Sequence, residues 1–271
     1  MKTRILTAAV GVPLLFILVL WAPEIVSALV VGVMMAIGAY ELLYRTRLVR
    51  KGSMVVVSAI AAFAVSLWSY FEAQDAYLLL GLMAFTMILF AQMMTDHIKT
   101  RFESLALCFF AGFVMPYLLT ALVRILMMSI GRYVVLVPFA IAFLSDAGAY
   151  FVGIHFGKHK LAPVVSPNKT IEGVLGGLGT AMAGMLIYGL ILQLGFQFQV
   201  NYGLAILYGL LGSLAGTFGD LCFSVIKRQT GVKDYGNLIP GHGGILDRFD
   251  SMMMVAPLVE ALLILIPFAV G

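Results

Sequence analysis

Apolar residues return in run after run, each about as long as a bilayer is thick, and that repetition leaves the chain few folds. A membrane-spanning helix needs roughly 17–25 mostly apolar residues. Nine segments qualify: 5–21, 25–43, 54–71, 76–94, 104–123, 134–154, 173–194, 203–226 and 251–270. In lipid every backbone amide must be bonded inside the protein, so such runs predict helices. Composition agrees: 62% of the 271 residues are hydrophobic and 11% charged, with a mean hydropathy of +1.05, whereas a soluble domain carries roughly 25% charge. The expected fold is all-α, a polytopic membrane helix bundle of about nine transmembrane helices.

Loop charge predicts the orientation. With the N-terminus in the cytoplasm and the spans alternating, the C-terminus lies outside. Of the 17 lysines and arginines, only Arg124 and Arg132 then face outward. The net charge of +4 is explained by basic cytoplasmic loops, and no nucleic-acid partner is expected. The N-terminus resembles a signal peptide, with Lys2 and Arg4 before an apolar run. It lacks a clear cleavage site and is read as an uncleaved first helix. Cys108 and Cys222 both sit in apolar runs and read as packing thiols. The alternation leaves two long cytoplasmic segments, 155–172 and 227–250, which flank the seventh and eighth helices.

Three acids fall within the spans: Asp146, Asp220 and Glu260. An acid at a helix centre costs on the order of 2.5–3.5 kcal/mol on insertion scales, so each needs a reason. Asp220 shares a helix face with Ser224 and Lys227, at i+4 and i+7. Gly209, Gly212, Gly216 and Gly219 thin the same helix so that another backbone can approach. A structural Asp220–Lys227 pair is the plain alternative to a functional site. Asp146 stands at i−4 from Tyr150 and i−7 from Gly153, and function and polar packing are equally open there. Glu260 reads as structural.

The stretch Ser224–Asp250, SVIKRQTGVKDYGNLIPGHGGILDRFD, is the most polar part of the chain. Lys227, Arg228, Lys233 and Arg248 are cations, and Gly231, Gly236, Gly241, Gly243 and Gly244 let backbone approach a ligand. A helix is expected from about Ile245, with Asp247 and Asp250 in its first turn. Those acids can compensate the helix dipole, and the helix start can hold an anion. Cations with glycines suit phosphate. Carboxylates beside phosphate require an intervening cation, and Mg²⁺, which takes one or two carboxylates plus phosphate oxygens, resolves the conflict. The tract therefore reads as a site for Mg²⁺ and a polyphosphate, with Asp220 as a further carboxylate and two metals an option. It is neither a P-loop nor a GxSxG elbow. His242 suits a phosphate donor or a loop-ordering group better than a general base. His97, His155 and His159 lack metal-ligand spacing.

The tract resembles the signature of the phosphatidate cytidylyltransferases, the CDP-diacylglycerol synthases. The matching residues are Ser224, Ile226, Lys227, Arg228, Lys233, Asp234, Gly236, Ile239, Pro240, His242, Gly243, Gly244, Ile245, Asp247, Arg248, Phe249 and Asp250. A second block is similar to the family's upstream pattern through Asp146, Ala149, Tyr150, Gly153, Gly157, Lys158, Ser166, Pro167, Lys169, Thr170, Glu172 and Gly173. It departs at Ile154, where Arg is common, and at Asn168, where Lys is common. The CDP-alcohol phosphatidyltransferase pattern is absent.

The resemblance implies transfer of the cytidylyl group from CTP to phosphatidate, at the cytoplasmic face of a bacterial inner membrane. It implies that residues 131–271 are the catalytic part, with loops 155–172 and 227–250. Residues 1–130 then serve packing, and their apolar helices suit a homodimer. Asp220 and Asp247 would hold Mg²⁺ with Asp250 as third acid, a second cation being an option. Lys227, Arg228, Lys233 and Arg248 would hold phosphates, and His242 would assist. Lys169 and Thr170 would clamp nucleotide or lipid head group. Ser224, Asp234, Gly243, Gly244 and Asp146 would complete the substrate pocket. The alternatives are a CTP-dependent polyprenol kinase and, outside enzymes, an ion-coupled transporter using Asp146, Asp220 and Glu260.

Overall fold

The structure, a computed structural model, describes residues 11, 13–71, 75–95, 100–239, 241 and 243–271. Among these, seven helices are long and apolar enough to cross a membrane. They are α1 (Glu24–Arg45), α2 (Gly52–Phe71), α3 (Asp75–Thr95), α4 (Phe102–Met127), α5 (Gly131–Phe156), α6 (Ile171–Phe196) and α7 (Tyr202–Gln229). Each contains most or all of one expected span, from 25–43 through 203–226. Residues 5–10 and 12 of the first expected span, 5–21, lie outside the described residues, as do Lys2, Arg4, His97, Lys99, Pro240 and His242; residues 13–20 are helical.

The last expected span, 251–270, is shorter in the structure. Helix α8 (Met252–Leu265) has 14 residues, or about 21 Å at about 1.5 Å per residue, against roughly 30 Å of hydrocarbon. The cause is Pro267, which disfavours helical geometry in the residue before it. Ile266 accordingly leaves the helix with φ −144° and ψ 68°. The chain then forms a two-residue strand, Ala269–Val270, antiparallel to Gln199–Val200. A second hairpin pairs β1 (Lys160–Ala162) with β2 (Ser166–Thr170). The all-α expectation thus holds for the body of the chain and fails in these two places. In the 160–170 hairpin, Pro163 and Pro167 cannot donate to a helix, and Val164 and Val165 are β-branched.

The chain divides into two compact units. One comprises Met1–Met127 with Gln229–Phe249, the other Met128–Arg228 with Asp250–Gly271. In the first unit α2 packs on α1, with Ser66 Oγ donating to the Ala28 carbonyl across them at 2.8 Å. A Cβ at Gly112 of α4 would fall 3.1 Å from the Ser58 backbone, so glycine there lets α4 close on α2. In the second unit α5 and α6 run antiparallel at backbone contact distance. A Cβ on Gly148 would lie 2.8 Å from the Gly176 carbonyl, and one on Gly176 would lie 3.0 Å from that of Gly148. This is small-residue packing of the kind lipid-embedded helices use, where close backbone approach replaces the hydrophobic effect.

The glycine face expected on α7 is used along its length. Gly209 meets the Ala181–Met182 backbone of α6, and Gly212 meets Ile141 of α5. Gly216 meets Val255, and Gly219 meets the Asp250 carbonyl. A buried Ser145–Ser213 hydrogen bond of 2.6 Å ties α5 to α7. These contacts bring one end of α5, the 160–170 hairpin, the end of α7 and the start of α8 together within the second unit.

Candidate functional site

In the second unit, Asp220 near the end of α7 forms an ion pair with Lys169 of β2. Its other carboxylate oxygen accepts from Ser224 Oγ at 3.3 Å. The Asp220–Ser224 face was legible from i, i+4 spacing. The Lys169 partner was not, because it arrives from another element. Asp250 places one oxygen 3.9 Å from Lys227 Nζ, and its other oxygen accepts the Ser251 amide at 2.8 Å. Burial first, then the Asp220 charge, pushes the Asp250 carboxyl up to about 7, while Lys227 pulls it back. Two neighbouring aspartates, Asp220 and Asp250, thus stand between two lysines, Lys169 on the first and Lys227 on the second.

Beside this cluster is a cavity of about 200 Å³ lined by Asp146, Tyr150, Asn168, Lys169, Thr170 and Thr217. The hairpin that delivers Lys169 is anchored at both ends. Thr170 Oγ1 accepts the Gly173 amide at 3.1 Å and so caps α6. Glu172 accepts from the Lys158 amide at 3.1 Å and contacts His159 Nδ1 at 2.6 Å. Arg228 Nε donates to the Val165 carbonyl at 3.1 Å. The segment 155–172 and the stretch 220–228 of α7 are therefore joined, by Lys169–Asp220 and Arg228–Val165. Thr170 serves two purposes, since it caps α6 and also lines the cavity.

The 229–249 loop belongs to the first unit. Asp247 is buried, and its Oδ2 accepts the amides of Tyr235 at 2.8 Å and Gly244 at 2.9 Å. Gly243 sits at φ +86°, a left-handed geometry glycine adopts without strain. Ile239 bridges to Gly243 across the loop. Lys233, Asp234 and Arg248 are exposed. His242 lies outside the described residues.

Two expectations for this loop change. The helix expected from Ile245 is a single turn, Leu246–Phe249. Asp250 stands outside it, where its side chain bonds the next amide, a local contact that competes with helix. The helix start does hold an anion, but that anion is a side chain of the protein. Glu41, in the π-turn that ends α1, accepts the Ile245 amide at 3.2 Å and the Leu246 amide at 3.0 Å. No pattern in the sequence singled out Glu41. The only cue was an acid at the edge of an apolar run, and its partner is 200-odd positions away.

Among the described residues no three His, Cys, Asp or Glu side chains gather in metal-holding geometry. The acids of the second unit are oxygen donors held by ammonium groups. That donor chemistry suits a hard ion such as Mg²⁺, which needs one or two carboxylates and takes its remaining ligands from water and phosphate.

A family model described as the cytidylyltransferase family matches residues 2–266. A phosphatidate cytidylyltransferase of Staphylococcus epidermidis is 36% identical over 276 residues, covering 97% of this chain and 99% of that protein. One of Staphylococcus haemolyticus is 48% identical over 136 residues, 50% of this chain and 51% of that protein. One of Staphylococcus aureus is 50% identical over 136 residues, again 50% and 51%. The chain thus matches about half the length of the latter two and nearly all of the first.

Proposed function

The chain belongs to the cytidylyltransferase family, and on that premise we propose that it is a phosphatidate cytidylyltransferase. It joins the cytidylyl group of CTP to phosphatidate, giving CDP-diacylglycerol and releasing pyrophosphate. A phosphatidate oxygen attacks the α-phosphorus of CTP, and the bond from that phosphorus to the bridging oxygen of the β-phosphate breaks. The attacking phosphate monoester, with a second pKa of about 6, is already largely dianionic at neutral pH. No strong base is needed, and catalysis reduces to alignment and charge neutralisation.

The observation that carries this reading is the pair of aspartates, Asp220 and Asp250, held between Lys169 and Lys227 beside a cavity that Asp146, Lys169 and Thr170 help to line. An ammonium group held by a carboxylate can turn to an incoming phosphate. In the second unit Lys227 and Arg228 are proposed to hold phosphates; in the first, the exposed cations Lys233 and Arg248 are proposed to do the same. Asp220 and Asp250 are the proposed Mg²⁺ ligands. Asp247, one oxygen of which accepts the Tyr235 and Gly244 amides, is proposed as a further carboxylate for the metal. Bound Mg²⁺, with or without a second cation, would neutralise triphosphate charge and orient the α-phosphorus. Lys169, Thr170 and Asp146 line the proposed substrate pocket, with Ser224 steadying Asp220. Asp234, Gly243 and Gly244 belong to the loop proposed to contact the nucleotide, and His242 is proposed there as a hydrogen-bond donor to phosphate.

The polar ends of α7 and of the hairpin are assigned to the cytoplasmic side of a bacterial inner membrane. A soluble nucleotide and a lipid phosphate can meet there, and the basic loops favour that side. A homodimer through the N-terminal helices belongs to the same proposal; α3 buries only Phe85 and Leu89. Protein purified in detergent, given labelled CTP and phosphatidate, is expected to form labelled CDP-diacylglycerol. Label passing instead to a polyprenol would indicate the kinase alternative, and no transfer at all would leave the transporter.

A further inference from the structure

Glu41 is 3% exposed, and a carboxylate buried so fully needs donors to offset its lost hydration. It has two, the amides of Ile245 at 3.2 Å and Leu246 at 3.0 Å. These are among the amides that a helix start leaves without partners. The fit is tight on the loop's side as well: a Cβ on Gly236 or on Gly244 would run into the Glu41 carboxylate. One turn further along the π-turn, Arg45 Nη2 donates to Asn237 Oδ1 at 3.0 Å. The π-turn Glu41–Arg45 therefore grips both limbs of the loop, one with an acid and one with a base. Such turns recur at functional sites because they re-aim side chains without ending the helix.

We infer that Glu41 is a positioning residue for the cytidylyl transfer: it is the anion that the 236–246 backbone is shaped to hold, and it fixes the loop that carries Lys233, Asp247 and Arg248. The inference rests on the function proposed above. It also reassigns the loop's chemistry. The Ile245 and Leu246 amides are filled from within the protein, so among the described residues of the loop substrate phosphate is left to the exposed side chains Lys233 and Arg248. Gly236 and Gly244 are then glycines because of Glu41, not because a ligand comes close.

Gln is the discriminating replacement. It keeps the shape of Glu41 but offers one acceptor oxygen where two amides need two, so one amide must face an NH₂ group. In Glu41→Gln, exchange of the 243–249 amides is expected to quicken by about tenfold, the value of one charge-assisted hydrogen bond. Exchange in α2 and α6 should stay as in wild type. kcat should fall by at least about tenfold with KM for CTP within about twofold, as for loss of alignment rather than of substrate contacts. Glu41→Asp, which keeps the charge, should recover part of kcat. Unchanged exchange at 243–249, faster exchange throughout α1–α4, or wild-type kcat with a loosened loop would each overturn the inference. If Glu41→Gln does not fold, Gly236→Ala crowds the same carboxylate from the loop's side. It must then loosen 243–249 selectively, and no such change overturns the inference. Wild-type protein that makes no CDP-diacylglycerol would sink the transfer reading alone, because the exchange measurement still decides what Glu41 holds.

Discussion

In the second unit Asp220 and Asp250 face the ammonium groups of Lys169 and Lys227; in the first unit Asp247 and Glu41 face backbone amides. The residue types are nearly the same, and the partners divide their work. A lysine is a flexible point charge that can swing from a carboxylate to a phosphate. A backbone amide cannot leave without the loop moving with it. The first pair of acids is therefore exchangeable, suited to a cation or substrate that comes and goes, and the second pair is fixed.

Asp220→Asn puts the largest strain on this division. The substitution removes the charge opposite Lys169 and, on the proposed reading, a metal ligand. Turnover is expected to fall by about 10³-fold, the scale on which single electrostatic groups act in such sites. Melting temperature should hardly move, since a partly exposed pair contributes at most about 1 kcal/mol. A variant that lost stability but kept its turnover would reverse the division.

That contrast was only half legible in the sequence. The Asp220–Ser224–Lys227 face and the glycines of α7 follow from local spacing, which a helix converts directly into neighbourhood, and the structure places them as the spacing implied. Lys169–Asp220 and Glu41–Leu246 join positions far apart in the chain, and no periodicity reports them. The short α8 was within reach, since Ile266-Pro267 is a stop signal, but apolar composition on both sides of it reads as one span. The loop misled for another reason: glycines and an expected helix start look the same whether the anion they await is a ligand or Glu41.

Asp247 tests the fixed side. The amides of Tyr235 and Gly244 converge on one of its oxygens. Asp247→Ala leaves two buried amides unpaired and should cost about 3 kcal/mol, read as a lower denaturation midpoint. Asp247→Asn can keep both bonds through its carbonyl and should cost about 1 kcal/mol. The Asn variant then isolates the second oxygen. An apparent Mg²⁺ requirement raised about tenfold in its activity titration is expected if that oxygen is a ligand, a tenfold change being worth about 1.4 kcal/mol. An unchanged titration would confine Asp247 to holding the loop.

The exchangeable side should also show in pH. With its carboxyl pushed up to about 7, Asp250 takes up a proton as pH falls through neutrality and loses its attraction for Lys227 and for any cation. The acid limb of kcat/KM should turn near that value and disappear in Asp250→Asn. Stability should run the other way. A carboxyl whose folded pKa lies above its free value of 3.8 contributes stability fully present below that free value, and the contribution is lost as pH rises through about 7. Denaturation midpoints of wild type and Asp250→Asn should therefore converge in acid and separate above neutrality, with the wild type the weaker. Parallel midpoints at every pH would mean that Asp250 is not held at this cost.

Ser224→Ala is the finest probe of the comparison. Its hydroxyl reaches Asp220 at 3.3 Å, a long bond that steadies one carboxylate oxygen while Lys169 holds the other. On an exchangeable carboxylate such a bond restrains orientation without supplying charge. Removing it should lower turnover about threefold, as for a neutral hydrogen bond of under 1 kcal/mol, and leave the Mg²⁺ titration in place. A loss approaching that of Asp220→Asn would mean that Ser224 touches substrate itself, and Asp220 would then be steadied by its lysine alone.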